Sequence, residues 1–368
     1  MKFSLKDLLT LHFIPKLGPF RVRQLVDSFK TADALFNAGV DQIARLDKFD
    51  TALANQVKKS LNDNKLSEKV ENQLRTLEKH SGRIITLWDE EYPENLKNIY
   101  NPPVLLFVKG NILKSDKNSV AVVGSRNVSD YGKLSAERIS EDLASKGLTI
   151  NSGMASGIDA FAHKGAINAG GRTLAVLGCG IDIVYPAENV SLYKEVVKNG
   201  AIISEFPLGT KPWPGNFPAR NRIISGLSLG TVVVEAAKRS GALITASAAL
   251  EQNREVFAIP GNISSSRSEG TNALIRDSAA KLVQNAGDII AELNLNDTGR
   301  KPEEPESPPV KLTKDENKVY SLVGNEPILV DKMSQKTGVL PQILLTHLLT
   351  LELKGLVRKL PGNKYIRV

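Results

Sequence analysis

A chain of 368 residues, 41% hydrophobic and 24% charged, is too long for one ordinary domain and has the balance of a soluble globular protein. Its net charge of +8 favours a polyanionic partner, and its one cysteine, Cys179, excludes an intrachain disulfide framework. The four histidines (His12, His80, His163, His347) are widely scattered, so no metal site and no cofactor is expected.

The first residues, MKFSLKDLLTLHFIPKLGPF, are too polar and broken for a signal peptide, and no apolar run elsewhere is long enough to cross a bilayer. The expected location is the cytoplasm, with no membrane contact. Up to about residue 80 the pattern is helical, with Leu5, Leu8, Leu9 and then Leu25, Val26, Phe29 at helical spacing. Gly18-Pro19 ends one helix and starts the next. Such a turn exposes backbone N–H groups that suit a phosphate, with Arg21 and Arg23 beside it. A plain helical hairpin is the commoner outcome.

From 81 to 296 the pattern alternates. The β-rich runs SVAVVG, LTINSG, TLAVLG, AIISE, GTVVVE, EVFAIP and AKLVQN are separated by helical stretches. That order predicts a doubly wound parallel sheet of Rossmann type, buried on both faces. Ligands of such sheets bind at the carboxyl ends of the strands.

Four strand-end loops stand out there. VAVVGSRN ends a strand at Gly124, Ser125 and Arg126, a hydroxyl and a guanidinium suited to phosphate. It lacks the G-x-G-x-x-G dinucleotide spacing, so NAD is not implied. NSGMASGIDAFAH gathers Ser152, Gly153, Ser156 and Gly157 at a helix start, an expected anion pocket. Its Asp159 and His163 lie four apart on that helix, as a structural pair more than an acid–base pair. PLGTKPWPGNFPARNRIIS is a stiff loop carrying Trp213, Gly215, Asn216 and Phe217 into Arg220, Asn221 and Arg222. An aromatic and arginines there suit base stacking with phosphate neutralisation. Equally, Phe217 packs inward and the arginines pair with Glu205 or Glu235. Finally, Ser240, Gly241 and Thr245 follow the strand that ends at Glu235. No nucleophile–base pair is evident, which is the profile of a phosphate-backbone binder rather than an enzyme.

Residues 297–310, DTGRKPEEPESPPV, read as an extended linker. The tail, 311–368, carries ten Lys and Arg against five Asp and Glu. Three helices and two short strands are expected in it, the order of a winged helix. Its third helix, PQILLTHLLTLEL, lacks the basic side chains of a major-groove reader.

At VGSR, SGMASGIDAFAHKGA, LGCGIDIVYPAEN, SEFPLGTKPWPGNFPARNRIISGLS and EAAKRSGALITASAALEQNREVFAIPGN the sequence resembles the DprA (Smf) family of bacterial DNA-processing proteins. The resemblance covers nearly all of 81–290. It implies an extended Rossmann domain, a sterile-alpha-motif-like or helix-hairpin-helix front and a winged-helix tail. It further implies a homodimer that binds single-stranded DNA without strong sequence preference and loads the RecA recombinase in natural transformation, with single-strand-binding protein a further candidate partner. By motif, Arg126 matches the family's phosphate-binding arginine, Ser152 and Gly153 its phosphate pocket, Gly215, Asn216 and Phe217 its base-stacking loop, and Arg220, Asn221 and Arg222 its groove lining. Where some members carry a basic residue before the glycine of that loop, this chain has Pro214, with Lys211 nearby. Two rivals remain: an N-glycoside hydrolase of the lysine-decarboxylase-like Rossmann class, which keeps Gly230, Thr231 and Glu235 but lacks the PGG, and a regulator acting through the winged helix.

Overall fold

The computed structural model describes residues 3–295, 312–324 and 326–367. These form two compact units, one up to residue 295 and one from residue 312. The expected linker, 297–310, lies outside the described residues.

The first unit is built on a nine-stranded sheet. Its strands are β1 (Arg83–Thr86), β2 (Leu105–Gly110), β3 (Ser119–Val123), β4 (Thr149–Ser152), β5 (Thr173–Val176), β6 (Gly200–Ser204), β7 (Gly230–Val233), β8 (Glu255–Ala258) and β9 (Lys281–Leu282), in the order β1-β2-β6-β5-β4-β3-β7-β8-β9. From β3 to β9 all pairings are parallel. The seven β-rich runs of the sequence are seven of these strands. The first two were not among them. They are antiparallel to each other, β2 is also antiparallel to β6, and only a four-residue helix lies between them.

Both faces of the sheet are covered, for a reason visible in β3. Its side chains alternate. Val120 and Val122 pack with Ala136, Ile139 and Leu143 of the helix Asp130–Ser145. Ala121 and Val123 join a second cluster with Ile223 and Ile224 of the helix Asn216–Gly226. A strand apolar on both sides is the signature of such a parallel sheet.

The chain starts the parallel region at β3, runs outward through β4, β5 and β6, then returns to β7 on the other flank of β3. The loops after β3 and β7 therefore diverge at a topological switch point, where doubly wound sheets open a crevice.

Residues 5–79 fold into six helices. Their buried Leu8, Leu9 and Leu11 share one hydrophobic cluster with Leu105 and Phe107 of β2, so they are fused to the sheet rather than hung beside it. At the Gly18-Pro19 turn, Arg21 is spent on its own surroundings. It donates to the carbonyls of Lys48 (2.9 Å) and Lys16 (2.8 Å), while Arg23 pairs with Asp27 at 3.4 Å. This is the plain hairpin.

The second unit has helices Lys314–Leu322, Val330–Thr337 and Pro341–Leu353, and strands β10 (Ile328–Leu329), β11 (Val357–Leu360) and β12 (Lys364–Arg367) in the order β10-β12-β11. This is a winged helix, with β10 as an additional short strand. Thr313 and Glu316 form a capping box that starts its first helix.

Candidate nucleic-acid interface

The sharpest turn of the site lies after β4. Gly157 has φ +80°, and a Cβ there would collide with the carbonyl oxygens of Ser125 and Arg126. Only glycine lets the helix Ile158–Asn168 start this close to the loop after β3. Ile158 N donates to Ser125 O at 3.1 Å, and Ser125 N donates to Glu235 O at 2.7 Å. Three strand-end loops are thereby locked together, with the Arg126 side chain exposed at their edge.

Phe217 is half-buried beside it, in the first turn of the helix Asn216–Gly226. One side of its ring rests on Gly178, where a Cβ would come within 3.0 Å. The Arg126 guanidinium carbon stands 5.1 Å from the ring centroid, the Arg220 one 5.9 Å, and the Tyr185 ring 5.7 Å with a 39° tilt. Asn216 fixes the loop by donating from Nδ2 to Gly178 O at 2.9 Å. Gly215 before it is exposed and meets nothing.

The three residues after Phe217 divide their labour. Arg220 is 3% exposed and donates from Nη1 to Gly153 O at 2.8 Å and to Val176 O. It clamps the ends of β4 and β5 from behind the site. Arg222 pairs with Glu205 and donates to Asn101 O at 2.9 Å, on the far side of the helix. Asn221 is buried, with Nδ2 3.4 Å from Gly241 O. None of the three presents its polar group as openly as Arg126 does.

The expected anion pocket at Ser152 and Gly153 is filled by the protein itself. The Ser152 hydroxyl is buried and donates to Val122 O at 2.7 Å. Gly153 N and Ala155 N both turn to the Asp159 carboxylate, at 3.2 and 3.4 Å. A Cβ on Gly153 would sit 2.7 Å from both Asp159 Oδ2 and Arg220 Nη2, so the glycine is required by crowding. Burial pushes the Asp159 carboxyl above its ordinary value, with the Arg220 charge and the two N–H groups opposing. His163 is not its partner. Its Nδ1 meets Thr173 Oγ1 at 2.6 Å, and that hydroxyl donates to Ile150 O at 2.7 Å. The imidazole N–H therefore points to Thr173, which leaves Nε2 sealed and unpartnered. Burial holds this imidazole down at about 3, so it stays neutral.

After β7, Ser240 caps the helix Gly241–Glu251 by accepting from Ala242 N at 3.3 Å, and Thr245 is buried. Gly241 is open, and Lys238 and Arg239 beside it are exposed. Glu235 is buried and accepts from Ser129 N (2.9 Å) and Ser129 Oγ (2.6 Å), capping the helix Asp130–Ser145.

Two contributors escaped the sequence reading. Tyr185, 41% exposed, stands against Phe217 from the loop after β5. Arg267, exposed, reaches Asn127 O at 3.2 Å from the loop after β8. The available signal for Tyr185 was an aromatic inside the glycine-rich run LGCGIDIVYPAEN. Among the described residues no cluster of His, Cys, Asp and Glu could hold a metal ion. No helix among them is long and apolar enough to cross a membrane.

Comparison with known proteins bears on the chain as a whole. The family model described as DNA recombination-mediator protein A matches residues 83–294, and that of the DprA winged helix domain matches 303–363. Protein Smf of Escherichia coli is 41% identical over 306 residues, 81% of each chain. Protein Smf of Synechocystis is 32% identical, covering 95% of this chain and 96% of its own. The crystal structure of DprA from Streptococcus pneumoniae superposes with a TM-score of 0.68 at 34% identity, covering 79% of this chain and 99% of that one. A Helicobacter pylori DprA structure, described for its single-stranded DNA binding mode, superposes with a TM-score of 0.52 at 29% identity, over 58% of this chain and 96% of that one. Sequence, sheet order and tail all converge, and the chain belongs to the DNA recombination-mediator protein A (DprA/Smf) family.

Proposed function

We propose that this protein binds single-stranded DNA at the Arg126–Phe217 crevice, without strong sequence preference, and hands the strand to a RecA recombinase. One observation carries the reading: a solvent-exposed guanidinium and a half-buried aromatic ring meet at the switch point of the sheet. Arginine neutralises phosphate, and a ring stacks any base, so this pair selects strand geometry rather than sequence. The Helicobacter pylori relative supports the choice of ligand. RecA loading, homodimer formation and contact with single-strand-binding protein rest on family membership.

A non-catalytic role is favoured by Glu235. An N-glycoside hydrolase would turn this carboxylate to substrate, whereas here it is buried and consumed by Ser129. Operator reading by the tail is disfavoured by its third helix, whose exposed side chains include Ile343, Leu349 and Leu353. These offer no hydrogen bonds to base edges.

Trp213 gives a direct test. It is 63% exposed on the loop leading to Phe217, and the chain has only two tryptophans. Random-sequence single strands are expected to quench its fluorescence saturably and to support faster RecA filament growth on coated DNA. Turnover of nucleoside monophosphates without oligonucleotide binding would contradict the reading.

A further inference from the structure

A single strand longer than the Arg126–Phe217 crevice must leave it over one flank or the other. In the order of the sheet, the loops after β5 and β6 lie on one side of Arg126, and those after β7 and β8 on the other. The two flanks differ in charge. In the loops after β5 and β6, Asp182 and Glu188 outnumber Lys211, while Glu205 is already paired with Arg222. Glu188 is exposed; its carboxylate accepts from Ser156 Oγ at 2.7 Å and has no cation beside it among the described residues. The loops after β7 and β8 carry Lys238, Arg239 and Arg267, all exposed, and the one carboxylate there, Glu235, is buried on Ser129. A phosphate chain is repelled on the first flank and neutralised on the second.

Arg267 is more than a loose surface charge. Its Nε donates at 3.2 Å to the carbonyl of Asn127, the residue next to Arg126. The loop that carries it is pinned at both ends. Tyr131 Oη donates to Pro260 O at 2.8 Å, and Gly270 N donates to Ala236 O at 2.7 Å. Asn272 closes the loop on itself, accepting from Gly261 N at 3.1 Å and donating to Gly261 O at 3.0 Å. Among the described residues neither Nη group of Arg267 has a partner, and Glu269, two residues on, makes no ion pair with it. A guanidinium tethered through Nε alone keeps its Nη fork for a phosphate. Arg126 leans from the tip of β3 toward Phe217, whereas Arg267 reaches that tip from the loop after β8.

We infer that the single strand leaves the crevice across the tip of β3 toward β7 and β8. Arg267 holds a phosphate beyond the one at Arg126, and Lys238 with Arg239 borders the exit. The inference rests on the proposed function and adds a direction and a second phosphate contact to it.

Titrations of the full chain with oligothymidylates from about 4 to about 20 nucleotides, at several salt concentrations, test the path. Arg267 makes no buried contact, so Arg267→Ala should keep the parent Tm. It should bind the shortest oligomer that the parent holds as the parent does. For the longest it should lose about five-fold near 0.1 M salt, with a slope of log K against log salt shallower by about 0.7. Arg267→Glu should deepen that loss, and Arg126→Ala should weaken every length. If Arg267→Ala matches the parent at every length and salt while Arg126→Ala does not, the inference is overturned and the crevice reading stands. Equal weakening of the shortest and longest oligomers by Arg267→Ala also overturns it, because Arg267 then belongs to the crevice itself. A silent Arg126→Ala sinks the crevice reading and removes the start of the path with it.

Discussion

The Arg126 guanidinium carbon lies 5.1 Å from the centroid of the Phe217 ring, although the two residues come from loops on different strands. A cation over a ring is mutually stabilised, and the pair offers one phosphate contact and one stacking surface side by side. Arg126→Ala should weaken binding to every single-stranded sequence alike. It should lower the slope of log K against log salt by about one ion equivalent or less. A titration at several salt concentrations reads both.

Phe217→Ala should cost roughly 1–3 kcal/mol of binding if its ring stacks a base. Tyr185→Ala should cost less, because this ring supports Phe217 from one side. Fluorescence anisotropy on a short single strand measures both, and a Tm scan separates binding from folding. Unchanged affinity in Phe217→Ala would place the ring in the core alone.

Arg220 and Arg222 should behave as structural residues. Arg220→Ala strips the donor from two buried carbonyls, and Arg222→Ala leaves the Glu205 carboxylate buried without its partner. Each should destabilise by about 3 kcal/mol, seen as a lower denaturation midpoint. Burial already holds the Glu205 carboxyl above its ordinary value, and losing Arg222 should push it further up.

Stability should fall as the pH drops below about 6.5, before ordinary carboxylates titrate. Burial lowers His163 from 6.5 to about 3 and His12 to about 4. In both cases the folded pKa is depressed, so the unfolded chain takes up protons first on acidification. The stability is fully present above 6.5 and is lost as pH falls toward the folded values. For His163, wholly buried, the slope is about 1.4 kcal/mol per pH unit. His12 is partly open to solvent and adds less. Denaturant midpoints at pH 7, 6 and 5 should show this slope, and His163→Gln should remove its share.

The parallel strands were legible because most, such as β3 and β6, are buried on both faces and because they alternate with helical stretches. The strands Arg83–Thr86 and Leu105–Gly110 were not, because no full helix separates them and the alternation never reaches them. Periodicity could not divide the arginines either. Residues 220 and 222 are two apart on a helix and face nearly opposite ways, and which way is inward depends on where the sheet lies. The Ser152–Gly153 turn looked like an open anion pocket because glycine and hydroxyl spacing says nothing about Asp159, which already occupies the N–H groups. Tyr185 was invisible as a partner of Phe217 because the two rings meet only through the sheet order that puts β5 beside β6.

The most direct test of the crevice is one competition experiment. Single- and double-stranded oligonucleotides of the same random sequence compete for the full chain and for the Arg126→Ala/Phe217→Ala double variant. The single strand should win against the parent protein, and that preference should largely disappear in the variant. Equal affinity for the two forms, or an undiminished preference in the variant, would contradict the account.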